Sequence, residues 1–184
     1  MLRKSTLGLL VIMALMLSLT APPAMGVVKE GDKLGDLDFP APMTPEDAKY
    51  LGVTPGQPFK LSQIGAPYVL LEAFGTSCPH CFTQAPVLNT LYGLIQKDPK
   101  LAGKIKIIGL AAADSPANVD MWKQKFKVPF PLLPDPDLKV YNKLDVLGTP
   151  TTLLLDKSGT VLKAHAGVFQ NPAAYLKELT AKMK

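Results

Sequence analysis

Cysteine is nearly absent from this chain. Cys78 and Cys81 are the only two in 184 residues, and His80 and His165 are the only histidines. So few excludes a small scaffold stapled by several disulfides. A zinc knuckle is excluded too, because it needs a second pair of ligands at a similar spacing. A surplus of charge is also lacking. Lys and Arg number 20 against 15 acids, and 18 against 15 once Arg3 and Lys4 of the leader are set aside. So small and scattered an excess excludes a nucleic-acid partner. Internal repeats and low-complexity runs are missing, and the 18 prolines are dispersed as turn and helix-start signals. What remains is an ordinary composition, 47% hydrophobic and 19% charged, in a length that holds one domain with a real core.

The first 26 residues, MLRKSTLGLLVIMALMLSLTAPPAMG, have the layout of a secretory leader. Arg3 and Lys4 form a basic start, and Leu7 to Leu19 an uncharged apolar core. Pro22 and Pro23 break the helix before a small-x-small site at Ala24 and Gly26. The apolar core is shorter than the ~20 residues of a spanning helix. The expectation is a signal peptide over 1–26 and one exported, periplasmic domain over 27–184. An uncleaved leader would instead anchor that domain to the membrane.

Export changes how Ser77-Cys78-Pro79-His80-Cys81 is read. An unprotected thiol pair becomes oxidised in such a compartment. A disulfide closing so short a loop removes little unfolded-state entropy, so its redox chemistry is the better reason for it.

The hydrophobic pattern places that pair. Tyr68 to Phe74 is a nearly continuous apolar run, as in a strand covered on both faces. The CxxC follows directly and opens a helical pattern running to about Gln96, with a kink expected at Pro86. Thr44-Pro45-Glu46-Asp47 reads as a capped helix start ended by Gly52 and Pro55. Phe59 to Leu61, Ile105 to Ala111, Phe130 to Leu133, Thr151 to Leu155 and Val161 to Ala166 read as strands. Pro116 to Phe126, Asp137 to Leu144 and a segment capped by Asn171 read as helices. The order predicts an α/β sheet, parallel with an antiparallel edge.

At a helix N-terminus, Cys78 meets unsatisfied N–H groups and the positive end of the helix dipole. Pro79 lacks an N–H where none is needed. Both favour a thiolate on Cys78, the attacking sulfur, while Cys81, one turn further in, resolves the mixed disulfide.

Strand, CxxC, helix and a later Gly148-Thr149-Pro150 before a hairpin resemble the thioredoxin superfamily. The resemblance implies a thioredoxin-like fold, a central mixed sheet flanked by helices. It also implies a cis-proline at Pro150 facing the cysteines, with the backbone of Thr149 lining the substrate groove. An inserted helix and strand within SPANVDMWKQKFKVPFPLLPDPD, the N-terminal extension, and GTPTTLLLDKSGTVLKAHAG resemble the TlpA/ResA-like, peroxiredoxin-related (redoxin) branch, over roughly residues 31–182. Two departures stand out. The 43–53 segment is long, and Ser77 and His80 replace the branch's Trp and second proline. Pro-His between the cysteines is instead the pair of the oxidase DsbA.

Glu72, six residues before Cys78, matches a buried carboxyl of thioredoxins and DsbA that moves the proton of the resolving cysteine. Physically, a carboxyl in an apolar strand is costly unless paired or protonated, and burial raises its pKa. A head group reaching solvent at a sheet edge is the alternative. His80 and Pro79 are expected to tune the redox pair, His80 by favouring the Cys78 thiolate. His165 is read as a strand residue without a role, and Trp122, Phe126 and Tyr141 as core or rim. A peroxiredoxin is excluded, since Leu71 and Gly75 stand seven and three places before Cys78 where its motif needs Pro and Thr or Ser.

The expected activity is thiol–disulfide exchange with no cofactor or metal beyond the Cys78–Cys81 disulfide. Its partners would be proteins carrying thiols or disulfides, and a membrane-bound thiol–disulfide electron-transfer protein. The architecture points to a reductase, with apocytochrome c among the candidate substrates. Pro-His points to a DsbA-like oxidase. A non-enzymatic binding module or a metal-binding module on this fold is the remaining alternative.

Overall fold

The structure is a computed structural model and describes residues 27–183; the leader expected over 1–26 lies outside the described residues. In chain order the elements are β1 (Asp38–Phe39), α1 (Pro45–Leu51), β2 (Phe59–Lys60), β3 (Tyr68–Phe74), α2 (Pro79–Lys97), β4 (Ile105–Ala112) and α3 (Pro116–Phe126). They continue with β5 (Leu132–Asp135), β6 (Thr151–Asp156), β7 (Val161–Ala166) and α4 (Pro172–Lys182).

Five strands form one sheet in the order β5-β4-β3-β6-β7. β3 pairs in parallel with β4 and antiparallel with β6, and β7 closes the antiparallel edge. β3 is thus the middle strand, which accounts for its apolar run. Leu70 and Phe74 face a core built with α2, α3 and α4, including Leu88, Trp122 and Leu179. Val69, Leu71 and Ala73 face the other way, against Leu37, Phe39, Leu51 and Phe59 of the N-terminal extension. That extension includes the small β1–β2 sheet and covers a face that would otherwise be wet.

Local chemistry starts and stops the helices. Thr44 Oγ1 accepts from the Asp47 N–H at 3.1 Å, and Gly52 ends α1 in the left-handed region at φ 73°. Asn171 caps α4 by accepting from the Ala174 N–H at 2.9 Å. α2 runs unbroken through Pro86.

Two elements differ from expectation. Asp137 to Leu144 is not a helix, and only the 3-10 turn Tyr141–Lys143 forms there. Asp135 accepts from the N–H groups of Lys139, Val140 and Tyr141 at 2.8 to 3.0 Å, taking donors a helix start would otherwise leave open. Leu138 and Asp145 have positive φ, 57° and 51°, which no helix accommodates. The fifth strand also begins two residues later than the apolar pattern implies, at Leu132, and Pro134 is accepted because β5 is an edge strand.

Candidate active site

β3 ends at Phe74, and Gly75, Thr76 and Ser77 turn the chain into α2. Cys78 is the N-cap residue and Pro79 the first helical residue, so no N–H is lost. The Cys78 N–H donates to the Gly75 carbonyl at 3.1 Å, and the Cys81 and Phe82 N–H groups return to the Cys78 carbonyl. From across the sheet comes the loop before β6, where the Thr149–Pro150 peptide is cis. It is held by Thr151 Oγ1 donating to the Gly148 carbonyl at 2.7 Å and by the Gly167 N–H donating to the Pro150 carbonyl at 2.8 Å. This loop brings the Thr149 carbonyl to 3.3 Å from Cys78 Sγ.

Both cysteines are thiols in this structure, and their surroundings differ. Partial burial on its own pushes the Cys78 thiol up. Hydrogen bonding from the Cys81 side chain, the Thr149 side chain and the N–H groups of Cys81 and His80 outweighs it, and the net shift is downward. Cys81 is 1% exposed, and burial, then its bond to Cys78, push it up to about 12. Glu72 lies below them on the middle strand, 5% exposed, so no sheet edge is near for its head group to reach. Burial first, then the Cys78 charge, raise its carboxyl to about 8. The His80 side chain is exposed; its backbone N–H is the part that reaches Cys78. Among the described residues no group of three or more Cys, His, Asp or Glu could hold a metal ion.

The cysteines, Glu72 and the Thr149–Pro150 loop thus meet at one end of the sheet. Sequence reasoning missed Asp114. This buried residue follows β4 and accepts from the Thr76 N–H at 2.7 Å, and from the Thr76 hydroxyl. It also accepts from Asn118 Nδ2 at 3.3 Å. It ties the turn before Cys78 to the start of α3. The hint in the sequence was an acid directly before the Ser115-Pro116 helix start.

Beside this turn, Thr76, Phe82, Asn118, Met121, Trp122 and Lys125 line a shallow groove. Lys125 Nζ lies 4.6 Å from the Phe82 ring centre, and Phe82 packs on Trp122 at 5.1 Å. Met121 is 62% exposed and Leu147, two residues before Thr149, is 73% exposed. Exposed apolar surface therefore lies beside the turn before Cys78, at Met121.

The model of the AhpC/TSA family matches residues 38–164, most of the described chain. The chain belongs to the AhpC/TSA family. Within it, the chain is 30% identical over 112 residues to a thiol-disulfide oxidoreductase ResA of Geobacillus thermodenitrificans, covering 61% of this chain and 62% of that one. A ResA of Halalkalibacterium halodurans is 27% identical over 112 residues, covering 61% of each. The match thus spans about three fifths of these relatives' length. Among solved structures, a Chlorobium tepidum protein assigned as thiol:disulfide interchange protein DsbE superposes with a TM-score of 0.64 at 20% identity. It covers 86% of this chain and all of that one. StoA from Bacillus subtilis superposes with a TM-score of 0.58 at 20% identity, covering 78% and 96%. These likenesses show the thioredoxin-like fold. The inserted helix and strand expected from the sequence are α3 and β5.

Proposed function

We propose that this AhpC/TSA-family protein is a thiol–disulfide oxidoreductase that reduces disulfides of protein substrates outside the cytoplasm. The asymmetry of its two cysteines carries the reading. Cys78, partly exposed with its thiol lowered, attacks the substrate disulfide, and one substrate sulfur leaves as a thiolate. Cys81, buried and held protonated, gives its proton to the ionised fraction of Glu72 and attacks Cys78 Sγ. The mixed disulfide breaks, and the second substrate sulfur leaves with the electron pair. The products are a dithiol substrate and a Cys78–Cys81 disulfide, and no cofactor enters. Thr149 and Pro150 line the groove where the substrate backbone runs, and the exposed Met121 beside the turn before Cys78 suits an unfolded polypeptide.

The ResA relatives, named thiol-disulfide oxidoreductases, support exchange chemistry, and the resemblance to the TlpA/ResA-like branch favours the reducing direction. On this reading the leader over 1–26 delivers the domain to the periplasm, and a membrane-bound thiol–disulfide protein reduces the disulfide again. Apocytochrome c, whose haem-attachment cysteines must be reduced, is the substrate class to test first. A second reading, a DsbA-like oxidase, is favoured by the donors converging on Cys78, because a stabilised thiolate makes a couple more oxidising.

The reduction potential of the Cys78–Cys81 couple decides between them. A value near the thioredoxin range, ~−270 mV, supports the reductase, and one near ~−120 mV supports the oxidase. Insulin reduction by the wild type but not by Cys78→Ser tests the activity itself. The mass of the mature protein from the native host reports on leader cleavage.

A further inference from the structure

A row of polar side chains crosses the sheet beneath the cysteines. Glu72 on β3 is paired in register with Thr152 on β6, and Thr152 with His165 on β7. Directly paired residues place their side chains on the same face, with Cβ atoms ~4.5–5.5 Å apart. The neighbours of this row on that face, Leu70 and Leu154, are aliphatic and wholly buried. Thr152 is wholly buried, and its hydroxyl lies 2.7 Å from Tyr175 OH on α4. Tyr175 is 2% exposed, stacks on Phe169 at 4.1 Å and meets the His165 ring edge-on at 5.5 Å. His165 is half-buried, and its Nε2 is sealed from solvent with no hydrogen-bond partner. A buried polar atom left unpaired costs ~1–3 kcal/mol, so an apolar side chain here would be the cheaper choice.

We propose that Thr152, Tyr175 and His165 form a proton exit for Glu72, an inference that rests on the oxidoreductase reading above. After resolution Glu72 holds the proton taken from Cys81. The substrate lies over Cys78, so the mouth of the site is covered, while β4 and β6 flank Glu72 within the sheet. Glu72 donates to Thr152 Oγ1, the Thr152 hydrogen passes to the Tyr175 oxygen, and the Tyr175 hydrogen passes to His165 Nε2. A turn of the His165 ring closes the last gap. The net result is a Glu72 carboxylate, restored hydroxyls and a His165 imidazolium at the sheet edge, which releases its Nδ1 proton to water.

The charges around the row suit that direction. Glu72 has Cys78 above it, and its own charge reaches Tyr175. At the far end Glu178 on α4 and Glu30 act on Tyr175, and Glu178 also feels His165. Lys163, on the same strand as His165, is paired with Glu178 at 2.8 Å and stands 3.9 Å from Glu30. An imidazolium at His165 therefore meets carboxylates as well as that lysine.

The full-length dithiol protein mixed with Ellman's disulfide tests this in one experiment. The first thionitrobenzoate released reports attack by Cys78, and the second reports resolution by Cys81. Thr152→Val, Tyr175→Phe and His165→Phe should leave the first phase unchanged. They should slow the second about tenfold near pH 7, below the range that general acid–base groups reach. The deficit should shrink as pH rises and hydroxide takes the proton directly, and Thr152→Ser should restore the rate. A purely structural role would lower melting temperature without that pH dependence. Tyr175→Phe keeps the ring stack, so it carries the test if Thr152→Val folds poorly. A second phase within twofold of wild type in these variants, or a deficit equal at every pH, overturns the exit. Absence of a second phase in the wild type overturns the oxidoreductase reading instead.

Discussion

Cys78 Sγ stands 3.3 Å from the carbonyl oxygen of Thr149, a residue 71 positions further along the chain. The contact joins the start of α2 to the loop before β6, two segments that share no local sequence. It places the exposed end of the cysteine pair against the backbone a substrate would follow. Cys81, one turn further in, has no such opening.

The two cysteines should therefore separate cleanly in trapping experiments. Cys81→Ser should accumulate mixed disulfides with protein substrates, because nothing resolves the Cys78 bond. Cys78→Ser should accumulate almost none. Non-reducing gels of the two variants expressed in the native compartment provide the check. Comparable trapping by both would remove the assignment of roles.

Glu72 links stability to pH. Its carboxyl is raised from 4.5 to about 8 in the fold, so the native state holds this proton where the unfolded chain releases it. Stability from this group is intact below about pH 4.5 and falls as pH rises towards 8. At ~1.4 kcal/mol per pH unit, the cost at pH 7 reaches about 3 kcal/mol. Glu72→Gln removes the charge. It should unfold at higher denaturant than wild type at pH 7 and at no higher denaturant at pH 4. Its resolution by Cys81 should be slower, with alkylation of Cys78 nearly unchanged.

The contribution of His80 divides into ring and backbone. His80→Pro removes both the imidazole and the N–H that reaches Cys78, so it should raise the Cys78 pKa and lower the reduction potential together. One modest interaction of ~1.4 kcal/mol corresponds to about 30 mV in a two-electron couple. His80→Ala keeps the N–H and should produce the smaller shift of the two. Equal shifts in both variants would assign the effect to the imidazole. No shift in either would leave His80 without influence on the couple.

Removing the Asp114 carboxylate should loosen the turn that carries Cys78. Asp114→Ala leaves the Thr76 N–H and hydroxyl without their acceptor, and hydrogen bonds to a charged group are worth ~1.5–3 kcal/mol each. A loss of about 3 kcal/mol in denaturant unfolding is expected, with slower insulin reduction. Asp114→Asn should fall between the variant and wild type. Stability within ~0.5 kcal/mol of wild type would show that the turn holds without this clamp.

What the chain determines locally could be read from it directly. Pro116 to Phe126 and Val161 to Ala166 form the elements their patterns imply, and Thr44 and Asn171 cap the helices they precede. The cysteines belong to the same category, since a CxxC between a strand and a helix occupies the helix start whatever surrounds it. Glu72 was recognisable because it interrupts an apolar strand. Asp137 to Leu144 misled because its apolar spacing is helical, whereas the carboxylate of Asp135 captures three N–H groups and bends the chain into a turn. Asp114, Thr152 and Tyr175 gave no local sign of what they touch. Their partners lie on strands and helices distant in sequence. Register across β3, β6 and β7 decides which side chains share a row, and it is set when apolar faces are buried together. A hydroxyl in a strand looks the same in sequence whether it faces water or a buried carboxyl. Only assembly of the sheet put Thr152 between Glu72 and His165.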